Sequence, residues 1–177
     1  MQNKSIKCIA EGAIMIALSA ALSLLSVRLW ANGGSVDLVI IPIIVFSLRH
    51  GTVWGLGAGL IYGLIDCLIS GGVGYGWQAI IIDYLLAYSV LGLAGLLPKA
   101  PVLAVILGSF ARFVMHFISG IVLWAAYMPE TYFGMKMTGA WFYSLLYNGS
   151  YMLVNCILAV IVIGILSKST KLIERQS

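Results

Sequence analysis

Asp83, Tyr84, His116, Trp124, Tyr143 and Asn148 are the residues whose types could do chemistry here, because they stand in stretches that are otherwise almost wholly apolar. A carboxylate, an imidazole, a carboxamide and three aromatic side chains supply negative charge, oriented donors and acceptors, and flat faces. Burying an ionisable or amide group in an apolar segment is unfavourable. Such groups on separate segments therefore point to one shared polar cavity that contacts a ligand. Tyr62 is a further candidate for ligand contact.

The elements that must position these groups follow from composition. The chain has 177 residues, of which 62% are hydrophobic and 9% charged, with a mean hydropathy of +1.05. That excludes an ordinary soluble domain and reads as an all-α integral membrane protein. A span needs roughly 20 apolar residues. Six transmembrane helices are expected at residues 9–29, 36–49, 52–70, 78–97, 101–127 and 138–166, forming a single membrane domain over 1–177. Asn32-Gly33-Gly34-Ser35, Arg49-His50-Gly51, Ser70-Gly71-Gly72-Val73-Gly74 and Pro98-Lys99-Ala100-Pro101 break the apolar runs.

Charge orients the bundle. One side carries Lys4, Lys7, Arg49, Lys99, Lys168, Lys171 and Arg175, and the other only Arg28 and Lys136. The positive-inside rule then puts both termini in the cytoplasm. The net charge of +4 is this bias, and no basic cluster supports nucleic-acid binding. At 1.5 Å per helical residue, Asp83 and Tyr143 lie roughly 8 Å below the outer surface, Asn148 roughly 15 Å and His116 roughly 16 Å. Trp124 is near the outer end of its segment. All six fall in the outer half, as in a pocket open to the outside.

Other residues read as structural. Cys8, Cys67 and Cys156 have no metal-ligand spacing and read as small packing residues. Trp54, Trp77 and Trp141 near segment ends read as interface anchors. Asp66 pairs with Tyr62 and Arg112 with His116 at i, i+4, which suggests a structural polar network. There is no H-E-x-x-H, G-x-S-x-G or G-x-x-x-x-G-K-[ST] motif, so neither catalysis, a metal, a cofactor nor ATP hydrolysis is expected of this chain.

Several phrases, read together, resemble a known family. These are Glu11-Gly12-Ala13-Ile14-Met15-Ile16-Ala17, Ile41-Pro42-Ile43 running into Ser47-Leu48-Arg49-His50-Gly51, Ile82-Asp83-Tyr84-Leu85, Leu91-Gly92-Leu93-Ala94-Gly95, His116-Phe117-Ile118-Ser119-Gly120 with Trp124, Tyr143-Ser144-Leu145, and Tyr147-Asn148-Gly149. In this order and spacing they resemble the thiamine-specific S component, the substrate-binding subunit, of energy-coupling-factor (ECF) transporters. The resemblance covers nearly the whole chain.

It implies a six-helix subunit of the bacterial cell membrane that captures thiamine from outside with high affinity. Delivery then follows docking to a coupling protein with two ATPases. The six residues above are the implied substrate site, and Ala13 and Ala17, four apart, fit the small-residue docking face. The family commonly has Glu where this chain has Asp83. It also places a Trp in the first outer loop, where this chain reads Asn32-Gly33-Gly34-Ser35, and Trp30 is the candidate to take over that stacking. Thiamine's cationic thiazolium and flat aminopyrimidine ask for a carboxylate, aromatic faces and oriented hydrogen bonds. The glycines of the loop suit a gate. Rival readings are an S component for another small vitamin or base, and an ion-coupled secondary transporter using Asp66, Asp83 and Arg112 as relays.

Overall fold

In the computed structural model, which describes residues 2–28, 34–169 and 173, six helices follow one another in chain order. They are α1 (Gln2–Ser23), α2 (Ile40–His50), α3 (Thr52–Ile69), α4 (Trp77–Leu96), α5 (Pro101–Val122) and α6 (Ala140–Ser169). Five are long and apolar enough to cross a membrane, and α2 is the short one. Two small antiparallel hairpins interrupt the helical pattern: β1 (Val27–Arg28) with β2 (Ser35–Val36), and β3 (Thr131–Tyr132) with β4 (Met135–Lys136).

The ends of the helices differ from the apolar runs for local reasons. α1 begins at Gln2, because its polar first turns are helical too, and stops at Ser23, where the chain turns into β1. α5 stops at Val122, and a separate 3₁₀ turn, Ala125–Tyr127, follows Trp124. Trp30 lies outside the described residues, as does the first half of the Asn32–Ser35 loop.

α2 is apolar on every side and is buried from Ile40 to Leu48 at the heart of the bundle. Its exit is a reversal at Gly51, whose φ of 91° is one a side chain would resist. On its way out α2 is tied to α1: Glu11 pairs with Arg49 and lies 3.0 Å from His50 Nε2. Ser19 Oγ on α1 donates to the Val39 carbonyl at 2.9 Å, tying the entry as well.

The α3–α4 contact sets the position of the site. Gly55, Gly59 and Gly63 repeat every four residues along one face of α3, and a Cβ at any of them would collide with the α4 backbone. Gly92 and Gly95 answer from α4. Small residues at this spacing let two backbones touch, which is how helices associate where lipid gives no hydrophobic drive. Ser47 Oγ on α2 donates to the Gly92 carbonyl at 2.6 Å, and Ser89 Oγ on α4 to the Leu56 carbonyl at 3.0 Å. These bonds serve both as glue and as alignment.

Held this way, α4 is not a uniform helix. Residues Ile80–Leu86 are π-helical and Val90–Leu96 are 3₁₀. Wider π turns are rare and commonly sit at functional sites. Asp83 and Tyr84 are both in this stretch.

Candidate functional site

Asp83 is the centre of a converging set. Ser119 Oγ donates to its Oδ2 at 2.7 Å and Trp124 Nε1 to the same oxygen at 2.9 Å, while His116 Nδ1 lies 3.2 Å from Oδ1. A carboxylate can only accept, so this pairing puts the imidazole proton on Nδ1. Ser119 is fully buried, and the Asp83 and His116 side chains are only 13% and 15% exposed. Three donors fix the carboxylate without neutralising it, and each oxygen keeps lone-pair capacity for a ligand.

The second wall is α6. Gly120 of α5 has no room for a Cβ because Ser144 packs there. This approach lets Ser144 Oγ donate to the Phe117 carbonyl at 2.9 Å. Asn148 Nδ2 reaches the His116 carbonyl at 3.2 Å and Ser144 Oγ at 3.1 Å. Tyr151 donates from its hydroxyl to Asn148 Oδ1 at 3.0 Å. Asn148 therefore ties α6 to α5 with one N–H, spends the other on Ser144 of its own helix, and offers a ligand one remaining Oδ1 lone pair.

Between these walls lies a cavity of about 800 Å³ that touches Asp83, Tyr84, His116, Trp124, Tyr143 and Asn148. The structure thus brings together all six residues picked from the sequence. Tyr62 is not in that wall. It is wholly buried behind it, edge-on to Tyr88 at 4.7 Å, with its hydroxyl a long 3.4 Å from Asp66. Tyr62 packs in the core and does not line the cavity, although its i, i+4 neighbour Asp66 does.

Several wall residues are not singled out by the sequence pattern. Behind the wall, Ser119, which holds Asp83, stands at i+3 from His116, the spacing that places two side chains on one helix face. Tyr143, Tyr147 and Tyr151 form a ladder at i, i+4, i+8 along α6, with ring centroids 5.5 and 5.7 Å apart. Tyr75 meets Trp124 edge-on at 5.3 Å. Asp66 and Arg112, expected in a structural network, also face the cavity.

The described end of the first outer loop lies against the cavity and is held by α6. Tyr147 Oη accepts from the Gly34 N–H at 2.7 Å. Asn155 accepts from the Asp37 N–H at 3.1 Å and donates to the Ser35 carbonyl at 3.0 Å. Ala13 and Ala17 are exposed on α1 and line an apolar groove of about 490 Å³ between α1 and α3, to which Trp54 and Ile61 also contribute. Trp54, Trp77 and Trp141 are exposed, as interface anchors are.

A family model described as "Thiamine transporter protein" matches residues 9–174. The chain belongs to the thiamine transporter family. Among family members, it is 33% identical to the thiamine transporter ThiT of Lacticaseibacillus paracasei, over 93% of this chain and 89% of that protein. It is 31% identical to ThiT of Bacillus subtilis, over 93% and 92%. The solved structure of ThiT from Listeria monocytogenes superposes with a TM-score of 0.85 at 26% identity, covering 97% of this chain and 99% of that one. The family's helical, multi-pass membrane fold is therefore the fold of this chain, and its role is transport rather than catalysis.

Proposed function

We propose that this chain captures thiamine from outside the cell with high affinity and hands it on by docking to an ECF coupling module, a transmembrane coupling protein with two ATPases. The single observation that carries the reading is the Asp83 cluster: a buried, triply hydrogen-bonded carboxylate facing a cavity edged by Trp124, His116 and Tyr143. A thiazolium cation supplies the charge that Asp83 lacks, and the rings supply faces for it and for the aminopyrimidine. Donors already fixed in place mean that little ordering is needed when the ligand arrives.

Names of relatives support the choice of vitamin, since two are called thiamine transporters. For the docking step, support comes from the outward-facing Ala13 and Ala17, whose small side chains leave space for a partner helix. Trp124 touches Asp83 directly, so ligand entry must alter its fluorescence. Titration of the detergent-solubilised chain with thiamine should quench emission at submicromolar ligand, and a flat titration there would sink the reading.

A further inference from the structure

The hairpin β3–β4 closes through Phe133 and Gly134, since Tyr132 pairs with Met135 across the turn. Their φ angles are 49° and 73°, both positive, which is the type I′ arrangement. Glycine enters that region freely, and asparagine suits the first position. A bulky side chain resists it, and Phe133 is the only non-glycine residue with a positive φ among those described. Burial does not offset the strain, because Phe133 is 61% exposed. The ring contact it makes is with its neighbour Tyr132, at 4.3 Å.

The level of the hairpin in the bilayer follows from Tyr132, which stands edge-on to Tyr143 at 5.3 Å and lies 6.1 Å from Tyr147. Those tyrosines are three and seven residues into α6, about 5 and 10 Å along its axis from the outer end. The hairpin therefore lies beside the first two turns of α6 instead of standing above them. A headgroup zone is about 5–7 Å thick on each face of a bilayer, and the exposed Trp141 marks it at the head of α6. This puts the turn where headgroups give way to acyl chains. Met135 beside it is 41% exposed, and Lys136 is exposed as well. Phe133, Met135 and Lys136 do not line the cavity, so the substrate is not what they meet.

We infer that the β3–β4 turn is a lipid-binding foothold: Phe133 and Met135 enter the outer leaflet just below the headgroups, and the Lys136 ammonium meets the lipid phosphates. An aromatic ring with an apolar neighbour and a cation at their edge has the chemistry of an interfacial anchor. The strained residue then has a use, because a ring at the tip reaches lipid and an asparagine would not. A tip tethered in this way also keeps Tyr132 against Tyr143, which lines the cavity.

The test reads contact with lipid and uses no thiamine, so its failure leaves the transport reading standing. A bimane dye is attached at Met135→Cys in the full-length chain carrying Cys156→Ala, since Cys8 and Cys67 are buried. The chain is reconstituted in vesicles of phosphatidylcholine and phosphatidylglycerol. Phospholipids bearing a nitroxide should quench the dye, more strongly with the nitroxide high on the acyl chain than at its end. Phe133→Asn suits the turn yet removes the ring, and should lower that quenching at least about twofold, whereas Phe133→Trp should keep it. Absence of quenching with Phe133 in place would overturn the foothold, because the tip would then face water or a protein, and that measurement needs no change at position 133. Quenching untouched by Phe133→Asn would overturn it too, since the ring would not be what holds the tip in lipid. So would stronger quenching from the chain end, which would put the tip in the hydrocarbon core.

Discussion

Trp124 Nε1 donates to Asp83 Oδ2 at 2.9 Å, which joins the turn that follows α5 to the π-helical stretch of α4. The two residues are 41 apart in sequence, and Ser119 donates to the same oxygen from within α5. The carboxylate is thus aimed before any ligand arrives, by an aromatic ring that can also form a face of the site.

Ser119 orients the charge without being a ring or a charge itself. Ser119→Ala should leave the chain folded and weaken thiamine binding by about tenfold, because a hydrogen bond to an ionised group is worth about 1.5–3 kcal/mol. Calorimetry on the purified variant checks this. An unchanged affinity would mean that the aim of Asp83 does not depend on it.

Gly59 and Gly63 should tolerate no side chain. A methyl at either would fall on the carbonyl of Tyr88 or Tyr84 and push α4, with Asp83, off α3. Gly59→Ala should lower stability by about 1–3 kcal/mol, read as a lower unfolding midpoint in detergent, and weaken ligand binding with it. A midpoint equal to that of the unaltered chain would show that the α3–α4 approach is looser than described.

Glu11 is a stability residue with no part in the cavity. It faces both Arg49 and His50, and none of the three lines the site. Glu11→Gln should destabilise by about 1–3 kcal/mol, with thiamine affinity within about twofold of normal after correction for folded fraction. A large selective loss of affinity would link α1–α2 contacts to the site.

Ala13 and Ala17 separate capture from delivery. Replacing Ala13 by Trp should leave thiamine binding by the isolated chain unchanged, because the residue is exposed on α1 away from the cavity. ATP-driven uptake in cells carrying the coupling module should fall to background, since a bulky side chain blocks close helix approach. Uptake at the normal rate would place docking elsewhere.

Much of this was legible in the sequence because membrane burial is a harsh filter. Asp83, His116 and Asn148 stand out when everything around them is apolar. Ser119, Tyr147 and Tyr151 were harder to see. Serine and tyrosine are ordinary in membrane helices, and only their spacing from His116 and Tyr143 marks them. The π-helical turns at Asp83 leave no trace in residue types, since no glycine or proline interrupts Ile80–Leu86. That stretch is where α4 approaches Gly63 of α3, at the Tyr84 carbonyl. Tyr62 misled for the converse reason: its i, i+4 partner Asp66 reaches the cavity, while its own ring points into the core.

The charge of Asp83 is the centre of the account, and the most direct test keeps its shape while removing that charge. Thiamine titrated into the unaltered chain and into Asp83→Asn, by calorimetry at neutral pH, should give submicromolar binding for the first and at least tenfold weaker binding for the second, about 1.4 kcal/mol or more. Equal affinities in the two proteins would contradict it.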